Sequence, residues 1–245
     1  MKVNATDLQN AFGKYLALTE KEDIIVTKNG KSVAKLMRYT EPDFFVVHEE
    51  AKAFQAQRKI SYEAYMELVE SSDQRYELID GVVYLLASPS FKHQVVVNEI
   101  SYYFLNFFKN KRCRSLTAPL DVRLFGFAGK FEEDPNVVQP DLFVICDNDN
   151  INDTGDKYLG TPTLIVEVMS PFSKGKDQVT KLNLYMRSGV SEYWVVDYRH
   201  KSIYQYIFTA ERDLDSLSVL SEKDTINSAS FPGLVIKLAE VFASI

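Results

Sequence analysis

This sequence predicts an α+β or α/β fold built on one mixed β-sheet, and three observations lead there. Short β-branched runs bounded by turn residues recur through residues 59–245, between longer stretches with helical spacing. Strands come first, then a helix, then more strands and a second helix, rather than a strict alternation of the two. Two of the runs, VVQPDLFVIC and TLIVEVMS, are strongly apolar, and the second reads as a strand buried on both faces. Each holds one carboxylate, Asp141 and Glu167.

Residues 1–40 form a pattern of their own. Lys2–Asn4 reads as a short strand, and Thr6 as the N-cap of a helix holding Leu8, Phe12, Tyr15 and Leu16 at helical spacing. DIIVTKNGKSVAKLMRY reads as two strands around a tight turn at Asn29-Gly30. So small a core does not stand alone, so the unit is expected to dimerise or to lean on another domain. Residues 41–58 read as a connector with a short charged helix, in which His48 has no companion ligand.

The main domain begins near Lys59. ISYEAYMELVES spaces Tyr62, Tyr65, Met66 and Val69 along a helix behind Ser61 as N-cap, and YELIDGVVYLLAS gives two strands turning at Asp80-Gly81. In HQVVVNEISYYFLNFFKN, Val96, Ile100, Tyr103, Phe104, Phe107 and Phe108 make a wide apolar stripe, and the basic KNKRCR suits the end of that helix. A strand with Leu120, Val122 and Leu124 follows, then the polar loop FAGKFEEDPN and the two acid-bearing strands, separated by the turn-rich NDNINDTGDKYLGTP. A helix is expected over residues 174–187, with Val179, Leu182 and Met186 on one face and Asp177 and Lys181 together at i, i+4 on the other. EYWVVDY is a further buried strand paired with KSIYQYIF, and FPGLVIKLAEVFAS supplies a short strand and a terminal helical turn.

The bulk properties narrow the function. No apolar run approaches the ~20 residues that span a bilayer, and MKVNATDLQN lacks the apolar core of a signal peptide. Cys113 and Cys146 have neither disulfide-framework nor zinc-site spacing and read as small packing residues in a reducing cytoplasm. The aromatic richness reads as core packing. Residues 1–39 carry seven Lys/Arg against four acids, a net of +3, while the remainder carries 21 against 30, a net of −9. The head is basic and the body acidic, so any attraction to nucleic acid resides in the head.

A carboxylate inside a buried strand is costly unless it is paired, hydrogen-bonded or bound to a metal. Consecutive strands usually lie side by side, so Asp141 and Glu167 are expected to converge. Oxygen ligands with room left for water suit Mg²⁺ or Mn²⁺, which polarises a phosphoryl oxygen and generates a hydroxide-like nucleophile. A nearby lysine would orient the attacking water. The purely structural alternative is a buried network in which both acids accept hydrogen bonds or pair with Lys181.

Pro140-Asp141 followed by Glu167-Val168-Met169 resembles the PD-(D/E)XK nuclease signature. RYELIDGVVY, SPSFKHQ, APLDVRL, VVQPDLFVIC, TLIVEVMSP, KDQVTKLNLYMRSGVSEYWVVD and PGLVIKLAEVF, in that order across residues 59–245, resemble the Uma-type restriction endonucleases. The resemblance implies a PD-(D/E)XK-type core, a mixed central sheet flanked by helices, acting as a Mg²⁺- or Mn²⁺-dependent endonuclease on DNA. It implies Asp141 and Glu167 as metal-binding acids, the Val168 backbone carbonyl as a further ligand, and Glu77 as an acid brought to the metal. Where the superfamily has a lysine two residues after the second acid, this chain has Met169. The matching lysine is Lys181, with Asp177 one turn earlier to hold it. Gln139 and His93 also match family positions that place water or phosphate. The plain alternatives are a surface strand residue for Glu77 and a capping or packing residue for His93.

NATDLQNAFGKYL and IVTKNGKSVAKL resemble the N-terminal domain of Phd/YefM-type antitoxins. This implies a dimerising, DNA-binding module over residues 1–40, a homodimer, and Lys2, Lys14, Lys28 and Lys31 as phosphate contacts. The bland alternative is a solvated basic surface. For the whole chain, a DNA-binding regulator with a silent nuclease fold stays open, as does cleavage of RNA or another phosphodiester.

Overall fold

The computed structural model describes residues 1–19, 24–28, 31–36, 59–147, 157–170 and 176–245. Two compact units are present, residues 1–51 and 52–245. The expected connector, His48 included, lies outside the described residues.

In the first unit, β1 (Lys2–Asn4), α1 (Ala5–Asn10), α2 (Phe12–Leu18), β2 (Ile24–Lys28) and β3 (Lys31–Leu36) make a three-stranded sheet with two short helices. β1 runs parallel to β2, and β2 antiparallel to β3 with Lys28 opposite Lys31. The expected hairpin is therefore present, although its Asn29-Gly30 turn lies outside the described residues. Val3, Ile24 and Val26 form the core, with Leu8 and Tyr15 packed on it. Two expectations are corrected. The cap is Asn4, whose side chain accepts from the Thr6 amide at 3.0 Å, and Thr6 itself is inside α1. The single helix is two, broken at Ala11, and Phe12 is turned out to solvent. The Leu16 side chain lies outside those described.

The second unit opens with α3 (Tyr62–Glu70), capped by Ser61 as expected. The hairpin β4 (Tyr76–Ile79) and β5 (Val82–Leu85) turns at Asp80 and Gly81, both with positive φ, the backbone that favours an Asp-Gly pair. Then come α4 (Phe91–Phe108), β6 (Arg114–Thr117), β7 (Asp121–Leu124), β8 (Asn136–Val138), β9 (Leu142–Ile145), β10 (Lys157–Leu159), β11 (Leu164–Val168), α5 (Leu182–Arg187), β12 (Glu192–Asp197), β13 (Ser202–Phe208), β14 (Leu214–Ser221), β15 (Thr225–Asn227), β16 (Val235–Lys237) and α6 (Leu238–Val241).

The central mixed sheet has the order β14-β13-β12-β11-β9-β6, with β11 parallel to β12 and the other neighbours antiparallel. A second sheet, β10-β7-β8-β4-β5, was not anticipated, and β15 and β16 form a small ribbon. Alternation along β11 sends Leu164, Val166 and Val168 toward α4, where they join Val96, Ile100, Phe104 and Phe108. Ile165 lies on the other face, with Ile79, Val122 and Val138 of the second sheet and Leu184 and Tyr185 of α5. By the same alternation Glu167 belongs to this inter-sheet layer.

Several local expectations change. VVQPDLFVIC is not one strand: β8 ends in the second sheet at Val138, β9 begins in the central sheet at Leu142, and Gln139–Pro140–Asp141 crosses between them. Proline has no N–H for a ladder, which ends the pairing there. The expected helix over 174–187 is a π-helical turn, Lys176–Lys181, followed by α5. Leu182 and Met186 pack on the core, but the wider turn leaves Val179 exposed. β14 was not anticipated because it has almost no buried face. Cys113 and Cys146 are not separate packing residues but a disulfide, with Cα atoms 4.1 Å apart. Arg114 stands opposite Ile145 in the β6–β9 ladder, and one further step sets the two cysteines opposite each other. The cysteine pattern therefore gives no support to a reducing compartment. Among the described residues no helix is long and apolar enough to cross a membrane.

Glu192 at the start of β12 is fully buried, with no cationic partner among the described residues. Its carboxylate accepts from Trp194 Nε1 (2.7 Å), Gln205 Nε2 (2.8 Å), Ser228 Oγ (2.7 Å) and the amides of Ala229 (3.3 Å) and Ser230 (2.9 Å). It thereby fixes the segment after β15 to the sheet. Replacing it with alanine strands these donors, with an expected loss of about 3 kcal/mol. Thermal unfolding followed by circular dichroism should show a Tm lower by roughly 6–12 °C, while Leu214→Ser on exposed β14 should barely move it. Equal Tm values for Glu192→Ala and wild type would show that the carboxylate does not hold this region.

Candidate active site

The polar side chains of the inter-sheet layer gather where the two sheets meet. β4 supplies Glu77, the β8–β9 crossing Gln139 and Asp141, and β11 Glu167 and Val168. The π-turn and α5 supply Lys181 and Tyr185, and the first turn of α4 supplies His93. In the β9–β11 ladder Leu142 stands opposite Val166, so one further step sets Asp141 opposite Glu167. The convergence expected from consecutive strands is thus a consequence of register.

Asp141 Oδ2 accepts from the Val168 amide at 2.8 Å and lies 3.2 Å from His93 Nε2. With 19% of its side chain exposed, Asp141 is the acid nearest solvent. Glu167 is buried, and its Oε1 accepts from Lys181 Nζ at 2.7 Å and from Tyr185 Oη at 2.6 Å. Lys181, also buried, reaches Glu77 Oε1 at 2.8 Å. Glu77 is completely buried, not a surface strand residue, and its Oε1 also accepts from the Gln139 amide at 3.0 Å.

One ammonium thus sits between two buried carboxylates, with a third carboxylate beside them. The oxygen-rich donor set suits a hard ion such as Mg²⁺ or Mn²⁺. Among the described residues no group of three or more His, Cys, Asp or Glu forms a ready-made metal cage. A pair of acids completed by water and substrate oxygens is the arrangement Mg²⁺ commonly takes. The acids also act at a distance: burial first, then the charges of Asp121 and Glu77, push the Tyr65 hydroxyl well above the usual phenol range.

The remaining candidates are placed as follows. Gln139 works through its backbone on Glu77, while its side-chain Nε2 donates to Asp121 Oδ1 at 2.9 Å, and Lys157 Nζ lies 3.5 Å from Asp121 Oδ2. His93 is buried against Asp141, and its Nδ1 finds no partner among the described residues. Met169 is packed in the inter-sheet core, where a lysine would have stood in the superfamily pattern. Lys181 takes Glu77 and Glu167 as partners, while the Asp177 side chain lies outside those described. In the first unit Lys2, Lys14 and Lys28 are exposed, and the Lys31 side chain lies outside those described.

Two residues escaped the sequence reading. Tyr185 lies four residues after Lys181, so both point to one helix face, and that spacing was the available signal. Asp121 had no signal, because its link to the site runs through a side chain on a non-consecutive strand.

Residues 1–72 match the family described as Antitoxin Phd_YefM, type II toxin-antitoxin system. An uncharacterized protein of Synechocystis sp. is 28% identical over 127 residues, 52% of this chain. The matched part spans 62% of that protein, less than two thirds of its length. The crystal structure of a putative nuclease of DUF820 from Anabaena variabilis superposes with a TM-score of 0.61 at 19% identity, covering 75% of this chain and 98% of that one. At that identity the likeness is one of fold. Residues 61–239 match the Uma2 family, described as putative restriction endonucleases, and over that span this chain belongs to it.

Proposed function

We propose that the second unit is a metal-dependent endonuclease that hydrolyses DNA phosphodiester bonds. The observation that supports this most directly is Asp141 set opposite Glu167 on neighbouring strands, with Lys181 held against Glu167. Asp141, Glu167 and the Val168 backbone carbonyl are the groups that would hold Mg²⁺ or Mn²⁺, which when bound supplies Lewis-acid polarisation of the phosphoryl oxygen and a more acidic water. Lys181 orients the attacking water and steadies negative charge that develops on the phosphorus oxygens. Glu77 keeps Lys181 from retreating and is the third acid of the shell, Tyr185 fixes Glu167 Oε1, and His93 aligns Asp141. The first unit, through Lys2, Lys14, Lys28 and Lys31, holds the DNA backbone and pairs two copies of the chain. This suits the division of charge, since residues 40–245, with a net charge of −9, offer phosphate little attraction.

The match of residues 1–72 to antitoxins favours a second reading, a DNA-binding regulator whose nuclease fold does not cut. Against it stands the cost of keeping three acids and a lysine together in a core, since buried ion pairs are often replaced by apolar residues without loss of stability.

Supercoiled plasmid incubated with Mg²⁺ or Mn²⁺ should be nicked or linearised by the wild-type protein, and EDTA should stop the reaction. Asp141→Asn and Glu167→Gln, which keep side-chain volume, should each lower the rate by about 100-fold or more. Plasmid left intact by wild type under both metals, together with a gel shift that requires residues 1–40, would replace the nuclease reading with the regulator. Lys181→Arg, which keeps a cation between Glu77 and Glu167, should lower the cleavage rate by about 10-fold or more with little change in DNA affinity measured in Ca²⁺. A Lys181→Arg variant with the wild-type circular dichroism spectrum that cuts at the wild-type rate would reduce the lysine to a structural charge.

A further inference from the structure

The negative sum over residues 40–245 conceals one stretch of the opposite sign. Between Glu99 and Asp121 the chain has no acid and four bases, Lys109, Lys111, Arg112 and Arg114. All four are exposed. They were expected to suit the C-terminal end of α4, yet no basic residue lies in the last turn of that helix. Lys109 is its C-cap, and Asn110 turns the backbone away with a positive φ. Lys111, Arg112 and Arg114 follow past the end of the helix, where the dipole has faded. Ion pairing does not account for the group either. Lys109, Lys111 and Arg114 have no acidic partner among the described residues. Asp147 lies one step beyond the disulfide in the β6–β9 register, on the side of Arg112, and its Oδ1 accepts from Tyr158 Oη at 2.6 Å.

This basic turn is held at a fixed place relative to the candidate active site. β6 begins at Arg114 and ends at Thr117, opposite Leu142, and the next residue, Ala118, donates its amide to the Asp141 carbonyl at 3.3 Å. At the other end the Cys113–Cys146 disulfide fastens the turn to the segment leaving β9. Arg114 stands opposite Ile145, four residues from Asp141 and, by alternation, on the same face of the sheet. Four residues of antiparallel strand span roughly 14 Å, or about four nucleotide steps along a duplex. β6 is the last strand of the central sheet, so no further strand of that sheet lies outside the line from Asp141 to Arg114.

We propose that Lys109, Lys111 and Arg114 bind the phosphate backbone of DNA, and that β6 and its disulfide hold this contact at a set distance from Asp141. The choice of ligand rests on the nuclease reading. A duplex with one phosphate at Asp141 then has another, a few nucleotides on, at the basic turn. Such contacts fix the position of the backbone and carry no sequence information. An anionic membrane is the other polyanion for a basic patch. The turn speaks against it, because from Lys109 to Arg114 its side chains are polar apart from the disulfide-bound Cys113, with nothing to insert among lipid chains.

The test uses the full-length chain and a duplex of mixed sequence in Ca²⁺, with binding followed by fluorescence anisotropy between about 50 and 200 mM salt. Lys111→Gln combined with Arg114→Gln should weaken binding on the order of tenfold, and should lower the slope of log affinity against log salt by about 2. Lys130→Gln combined with Lys223→Gln removes the same charge from exposed positions on other elements and should leave the slope near that of wild type. The first unit is unaltered in both variants, so the difference between them belongs to the turn. Equal slopes and affinities for the two variants would overturn the contact, as would a wild type that binds no duplex. Loss of binding to anionic vesicles with duplex binding intact would overturn it in favour of a membrane. A wild type that leaves plasmid intact in Mg²⁺ and Mn²⁺, yet loses duplex affinity through Lys111 and Arg114, would keep the contact and remove the nuclease reading.

Discussion

The body of this protein depends on one ammonium group. Lys181 lies between Glu77 of one sheet and Glu167 of the other, with all three side chains almost wholly removed from water. Neither sheet could bury its carboxylate alone, because an unpaired charge in such surroundings costs several kcal/mol. The pair of sheets becomes affordable only when a cation is placed where they meet. The π-turn that delivers Lys181 inward, and leaves Val179 out in solvent, is the local distortion that makes this placement possible.

Three consecutive residues coordinate the two sheets. The Gln139 amide binds Glu77, Pro140 ends one ladder, and the Asp141 carboxylate binds the Val168 amide beside Glu167. A chain that changes sheets at a proline thus positions an acid from each side of the layer within a few residues of backbone. Asp121 and Lys157 extend the same network outward through the Gln139 side chain. The more exposed position of Asp141, against the deep burial of Glu77, gives the cluster a solvent-facing side and a closed side.

Much of this arrangement was legible in the sequence. The two apolar runs with one carboxylate each identified the central strands, and Lys181 came from the resemblance of KDQVTKLNLYMRSGVSEYWVVD to the Uma-type family. What could not be read has physical reasons. The break at Pro140 is hidden because both flanking halves are equally apolar. The disulfide depends on the β6–β9 register, which a spacing of 33 residues does not reveal. The second sheet escaped because its strands are three or four residues long and pair out of sequence order. Asn4 took the cap from Thr6 because either residue type suits that position. β14 lacks the alternation that marks a strand with one buried face.

The distribution of the cluster along the chain has a bearing on synthesis. Glu77, Asp141, Glu167 and Lys181 are brought together from four separate stretches, so no fragment that ends before residue 181 can close the layer. At translation speeds of about 5–20 residues per second, the interval between residue 77 and residue 181 lasts roughly 5–20 seconds. Until Lys181 has been made, Glu77 lacks the ammonium that accompanies it out of water in the finished protein. Long-range pairing of this kind delays folding, and here the delay has a benefit. A chain still on the ribosome, close to nucleic acid, holds only disconnected acids, and whatever chemistry the assembled cluster performs is confined to the finished protein.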